Sequence, residues 1–297
     1  RTMRVGGSLS VAVALLLALE SAASNTSGSV CYQSGWKITF EDQFEGDELD
    51  SRYWTAIDNM THGPTEPQVY FADEVTVANG TLILNTRERK TFHNGQIYNF
   101  TSGWVEGKGK VFQKYGRFEI RAKLPSPAVG REGFWPTAWP AHWLMPEPST
   151  SEPPNVCWPV GGEIDIMEGF APRGKDTHDH PDQSSMYLSY HWAKECNKDE
   201  WGGDNGKWPL LNDTKTLVDW TEFHTFAIEW NATSLTWFID GTPHYQRHEG
   251  IPSSLFIPKF PFYMILNTAL TPWSNATLDT GLPTQHVIDR VTWCQPI

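Results

Sequence analysis

The sequence predicts an all-β fold, a sandwich or jelly roll of antiparallel strands, on three observations. Beyond residue 23 no run of useful length repeats apolar residues at the helical period. Short alternating or apolar runs recur instead, each broken by Gly, Pro, Asn or Asp. No change of composition marks a second domain, and no internal repeat appears.

The elements follow in order. Residues 1–23 form a basic start (Arg1, Arg4), a short apolar run (Ser8 to Leu19) and small residues (Ser21 to Ala23). That is the layout of a secretory signal peptide. The run is too short to span a bilayer. One domain is expected over 24–297. Trp36 to Glu41 is the first strand, and Thr81 to Asn85 follows the turn at Asn79-Gly80. Arg117 to Leu124 alternates: Phe118, Ile120, Ala122 and Leu124 on one face, Arg117, Glu119, Arg121 and Lys123 on the other. A half-buried strand with its charges in water is predicted. Met186 to Trp192, Phe226 to Trp230, Leu235 to Ile239, Phe262 to Leu266 and Val287 to Trp293 complete the set. The irregular segments 125–138, 146–160, 171–183 and 193–219 are long enough to be functional loops, and they bracket the acidic stretch described next.

Val160-Gly161-Gly162-Glu163-Ile164-Asp165-Ile166-Met167-Glu168-Gly169 places three carboxyl groups within six residues. On a strand, Glu163 and Asp165 share one face while Ile164 and Ile166 enter the core. Strict alternation would put Glu168 on the core side, where an unpaired carboxylate costs several kcal/mol, on the order of a lost ion pair. One extra residue at Ile166-Met167, a β-bulge, returns Glu168 to the acidic face. Glycoside hydrolysis needs two carboxyl groups across the scissile bond, about 5–5.5 Å apart when the reaction retains configuration. Glu163 then attacks as carboxylate, Glu168 keeps its proton, and Asp165 hydrogen-bonds Glu163 between them. The competing reading is a solvated acidic edge.

Bulk properties agree with a secreted, carbohydrate-active chain. The formal charge is −12, or −13 without residues 1–23, and there is no basic cluster. Nucleic acids and anionic membranes are therefore not expected partners. Fifteen tryptophans are present. Their faces stack on sugar rings, although more than half should simply be core. Seven Asn-x-Ser/Thr sequons occur, at Asn25, Asn59, Asn79, Asn99, Asn212, Asn231 and Asn275. Four cysteines suggest two disulfides in any of three connectivities. Cys31–Cys294, tying the termini, and Cys157–Cys196, tying loops beside the acidic strand, are the favoured pairs. His178-Asp179-His180-Pro181-Asp182 has metal-ligating residue types but reads as a solvated loop.

The stretch Gly162 to Glu168 resembles the bulged E-I-D-x-x-E motif of glycoside hydrolase family 16. Gly116 to Pro125, Trp139-Pro140-Ala141-His142-Trp143-Leu144-Met145, Tyr190-His191-Trp192, Phe223 to Trp230, Pro261 to Asn267 and Val287 to Trp293 are similar to further family segments, in order. The resemblance covers roughly residues 36–293. It implies a β-jelly-roll sandwich of two antiparallel sheets with a concave substrate cleft. It implies Glu163 as nucleophile, Glu168 as acid/base and Asp165 as the assisting acid. The bulged form resembles endo-β-1,3-glucanases of the laminarinase type more than enzymes with the shorter E-x-D-x-E.

By the same resemblance Trp139, Trp143, His191, Asn267, Trp273 and Trp104 are candidate substrate-binding residues. Trp104 stands where many relatives carry Arg. Gly130 to Ala138 looks inserted before Trp139. No cofactor is expected; some relatives hold a structural calcium, for which Asp289 is the position to watch. The implied activity is a secreted, monomeric, retaining endo-β-1,3 or mixed β-1,3-1,4 glucanase acting on a β-glucan. The alternatives are a transglycosylase on the same acids and a non-catalytic glucan-binding protein, which typically lacks them.

Overall fold

The protein, in a computed structural model, is described here over residues 29–63, 65–126, 137–151, 155–170, 185–199, 218–251, 253–271 and 281–297. Residues 1–23, Trp273, the His178–Asp182 loop and nearly all of the inserted segment before Trp139 lie outside the described residues.

Two β-sheets pack face to face. The larger contains β1 (Trp36–Asp42), β3 (Gln68–Tyr70), β4 (Val75–Ala78), β5 (Thr81–His93), β6 (Gln96–Ser102), β9 (Gly116–Lys123), β13 (His224–Trp230), β14 (Ser234–Ile239), β15 (Thr242–His248) and β17 (Thr284–Pro296). Its order is β15-β14-β13-β9-β17-β5-β6-β3, with β1 also on β17 and β4 on β5. The smaller contains β2 (Thr55–Ala56), β7 (Trp104–Glu106), β8 (Phe112–Gln113), β10 (Ala138–Pro146), β11 (Glu163–Phe170), β12 (Ser185–His191) and β16 (Phe262–Leu270). Its order is β12-β11-β10-β16-β7-β2, with β8 also on β16. This is the predicted jelly-roll sandwich. One pairing departs from the antiparallel rule: β3 runs parallel to β6.

The core lies between the sheets, built from the inward-facing residue of each pleat. Phe118, Ile120 and Ala122 of β9 and Phe226 and Ile228 of β13 meet Leu144 of β10, Ile164 of β11, Leu188 of β12 and Met264 and Leu266 of β16. Of the eleven described tryptophans eight are buried, so the tryptophan count is mostly a core signal. A hydrogen-bonded histidine pair crosses this core: His142 Nε2 of β10 lies 2.9 Å from His286 Nε2 of β17, both fully buried.

β9 departs from expectation. Arg117 and Glu119 are 1 % and 2 % exposed rather than solvated. Cys31 is bonded to Cys294, the β17 residue opposite Arg117, so a short turn over Val30–Tyr32 covers this face. The buried charges are neutralised in place: Arg117 donates to Glu119 at 2.6 Å and to Glu229 at 2.9 Å, and Ser29 also hydrogen-bonds Glu119.

Some strands were not expected. β10 is not among the expected strands; it runs through Pro140, which has no N–H to give a ladder. The β5–β6 hairpin turns at Asn94-Gly95, both at positive φ, although Asn-Gly between alternating runs is a strong hairpin signal. The second disulfide is Cys157–Cys196, so both favoured pairings are present. Asn59, Asn79, Asn99 and Asn231 are exposed; the other three sequons lie outside the described residues. Among the described residues no helix is long and apolar enough to cross a membrane.

Candidate active site

β11 carries the bulge. Asp165 pairs with Ser189 and Glu168 with Tyr187, so three steps on β11 face two on β12. Against β10, His142 pairs with Met167 but Trp143 with Asp165, which makes the same extra step. Ile164, Ile166 and Met167 are all fully buried, and Glu163, Asp165 and Glu168 share the face of the sheet turned away from the core. A bulge leaves a backbone group without its ladder partner. Here Trp237 Nε1 of β14, on the opposite sheet, donates to the carbonyl of Asp165 at 2.7 Å. Gly162 starts the strand at φ +83°, and a Cβ there would press on Tyr190 Oη at 3.0 Å.

The acids are joined through β12. Ser189 Oγ lies 2.8 Å from Asp165 Oδ2 and 3.3 Å from Glu168 Oε2. One hydroxyl proton serves one carboxyl at a time, so Ser189 links them as donor to one and acceptor from the other. His191 Nε2 lies 3.0 Å from Asp165 Oδ2 and 4.0 Å from Glu163 Oε1. Its Nδ1 lies 2.6 Å from Asp199 Oδ2. Two indoles complete the contacts: Trp158 Nε1 donates to Glu163 Oε2 at 2.7 Å, and Trp139 Nε1 to Glu168 Oε1 at 3.0 Å.

Burial, then the charge of Asp165, pushes the Glu168 carboxyl up to about 8, so it holds its proton at neutral pH. The same two causes push Glu163 upward. Glu163 also has counterweights, the His191 imidazolium and the Trp158 N–H, which favour its charged form. Burial alone would lower His191. Hydrogen bonds to Asp165 and Asp199, with the charges of Asp165 and Glu163, outweigh it and push the imidazole up to about 11. His191 is therefore a resident cation among carboxylates.

Glu163, Asp165 and His191 place ligand atoms within 4.8 Å of one another. Both nitrogens of the His191 ring face carboxylates, however, which leaves no lone pair for a metal. Asp289 is ion-paired with Arg121 and lies within the charge of Arg290. That setting is unlike the oxygen-rich shell a calcium ion takes.

The other candidates divide. Trp104, Trp143 and Asn267 sit across the same face on β7, β10 and β16. Trp143 Nε1 donates to Asn267 Oδ1 at 2.8 Å, and Asn267 Nδ2 donates to Tyr70 Oη at 3.1 Å. The Trp104 and Trp143 rings meet edge to face, and the His62 ring approaches both, at 5.2 and 6.0 Å. Trp139 and Trp158 border the acids directly. Ser189, Trp158, Asp199, Tyr70 and His62 were missed in the sequence. Ser189 had a signal, since it lies two residues before His191 on one strand face. The others come from loops or a short strand, where no periodicity marks a side.

The pattern of known proteins agrees. The family model described as glycosyl hydrolases family 16 matches residues 66–290. A β-glucanase of Rhodothermus marinus is 31 % identical over 279 residues, covering 86 % of this chain and 84 % of that protein. The laminarinase catalytic domain of Thermotoga maritima superposes with a TM-score of 0.68 at 25 % identity, covering 89 % of this chain and 100 % of that one. An endo-β-1,3-glucanase of Pyrococcus furiosus gives 0.66 at 26 %, covering 88 % and 95 %.

Proposed function

The chain belongs to glycosyl hydrolases family 16 and is a glycoside hydrolase, and from that premise we propose that it cleaves internal β-1,3 or mixed β-1,3-1,4 linkages of a β-glucan with retention of configuration. The observation that carries this reading is the bulged strand. It presents Glu163 and Glu168 on one face with Asp165 between them, and it gives the two glutamates different partners.

In the first step Glu163 attacks the anomeric carbon while Glu168 gives its proton to the leaving glycosidic oxygen. Glu163 becomes an ester and Glu168 a carboxylate. Loss of charge on Glu163 lowers the repulsion on Glu168, which then takes a proton from water as that water opens the ester. Asp165 lies between the two glutamates, joined to Glu168 through Ser189 and to Glu163 through the His191 ring. Trp139 and Trp273 are proposed to contact the sugars on either side, while Trp104, Trp143 and Asn267, all nearly buried, are proposed to support that surface. We further read the protein as secreted, consistent with its signal-like start and two disulfides, and as acting as a monomer.

The test is digestion of laminarin, lichenan and xyloglucan with the first-formed anomer followed by proton NMR. Internal cleavage with the β-anomer first is expected from laminarin or lichenan. The α-anomer first would overturn the double displacement. Transfer products in place of reducing ends would favour a transglycosylase. No product from any glucan would leave a binding protein.

A further inference from the structure

Asp199 lies outside every strand, in the segment that follows β12. Its side chain is 13 % exposed and meets Nδ1 of His191 at 2.6 Å. Three residues earlier Cys196 is bonded to Cys157. The backbone N–H of Asn197 donates to the carbonyl of Trp158 at 2.8 Å, and Trp158 in turn donates to Glu163. One covalent tie thus brings two loop segments onto the same end of the acidic strand, one touching Glu163 and the other touching His191.

We propose that Asp199 is a positioning residue of the reaction: it grips Nδ1 of His191 and keeps the imidazolium turned toward Asp165 and Glu163, with the Cys157–Cys196 tie holding its segment in reach. This rests on the glucanase reading of the site. Among the described residues the charged groups facing His191 are Asp165 and Glu163 from β11 and Asp199 from the loop, with Glu168 within range of its charge. Trp158, a second ring beside it, is neutral. Asp165 and Glu163 must share their charge with the chemistry. Asp199 does not, so it holds His191 protonated whatever step the reaction has reached.

Without Asp199 the His191 ring gives up its proton at lower pH. Above that pH Glu163 loses its cation and its charged form is disfavoured. Well below it the ring is charged with or without Asp199, so the two proteins differ only toward alkaline pH.

Asp199→Asn keeps the shape and removes the charge. Nitrogen-15 NMR of histidine-labelled protein is expected to show His191 as imidazolium through about pH 9 in the native chain and titrating earlier in D199N. kcat/KM at pH 5 is expected to be unchanged, because the ring is charged in both proteins there, and to fall about tenfold in D199N at the pH where the NMR shows its ring neutral, with KM on laminarin nearly unchanged. Asp199→Glu should restore the native profile. Cys157→Ser with Cys196→Ser should give a smaller shift of the same sign. Identical His191 titration in the native chain and D199N would overturn the proposal. So would a loss in D199N that is equal at every pH and tracks its melting temperature. Should the native chain cleave no glucan, the glucanase reading fails, and the NMR pair still decides whether Asp199 sets the state of His191.

Discussion

The two disulfides each cover a strip of charged strand, and the strips differ in one respect. Under Cys31–Cys294, Glu119 and Glu229 share a fixed guanidinium, Arg117, at hydrogen-bond distance. Beside Cys157–Cys196, Glu163, Asp165, Glu168 and Asp199 share one imidazolium, with neutral N–H and O–H donors doing the rest. Fork-shaped pairing to Arg satisfies a carboxylate and makes it structural. With a single imidazolium among the described residues, protons are left to be exchanged among the acids, which is what acid–base work requires. The supply of positive charge separates them.

Glu163→Gln breaks the second strip. Activity on laminarin should fall by at least about 10⁴-fold, because no carboxylate remains to form the ester. The melting temperature should hold or rise as crowding of like charge is relieved. Full activity would remove Glu163 from its role.

Arg117→Met breaks the first strip and should do the reverse. Leaving Glu119 buried without its cation should cost about 3–5 kcal/mol in chemical unfolding, with activity per folded molecule unchanged.

A third charge-capable cluster, His142–His286, sharpens the contrast because it is kept neutral. Burial pushes His286 down to about 3, and burial with His286 pushes His142 well below its ordinary value. Each pKa is depressed on folding, so the unfolded chain binds more protons below about pH 6.5. Stability is full above that value and is lost as pH falls through the window toward 3. At pH 5 the loss from His286 should be about 2 kcal/mol, and His142 adds to it in the same direction. Unfolding curves at pH 7 and 5 measure it, and replacing both histidines by leucine should flatten the difference.

Trp237→Phe should have the smallest effect on stability, about 1–3 kcal/mol from the orphaned Asp165 carbonyl. It also tests the bulge, since kcat should fall if that donor sets the strand's offset. Unchanged kcat would show that the register holds by itself.

Much of the site was legible because a strand writes its faces into its sequence. The misfit of Glu168 to strict alternation was enough to place the bulge at Ile166-Met167, where the structure has it. The alternation of β9 placed Phe118, Ile120 and Ala122 in the core equally well. The same pattern misjudged Arg117 and Glu119, because period two says which side a residue faces but not what lies over that side.

The sequence by itself determined the two-sheet fold class and the three acids on one face; it left three cysteine connectivities open, of which the structure has the favoured one. Only the tertiary structure decided what those acids touch. Trp237 comes from the opposite sheet, Trp158 and Asp199 from loops, and Tyr70 from a short strand almost two hundred positions from Asn267. Period and spacing are local properties of a chain. Desolvation and Coulomb energy depend on distance in space, so the protonation of Glu168 and His191 was set only when segments remote in sequence closed around them.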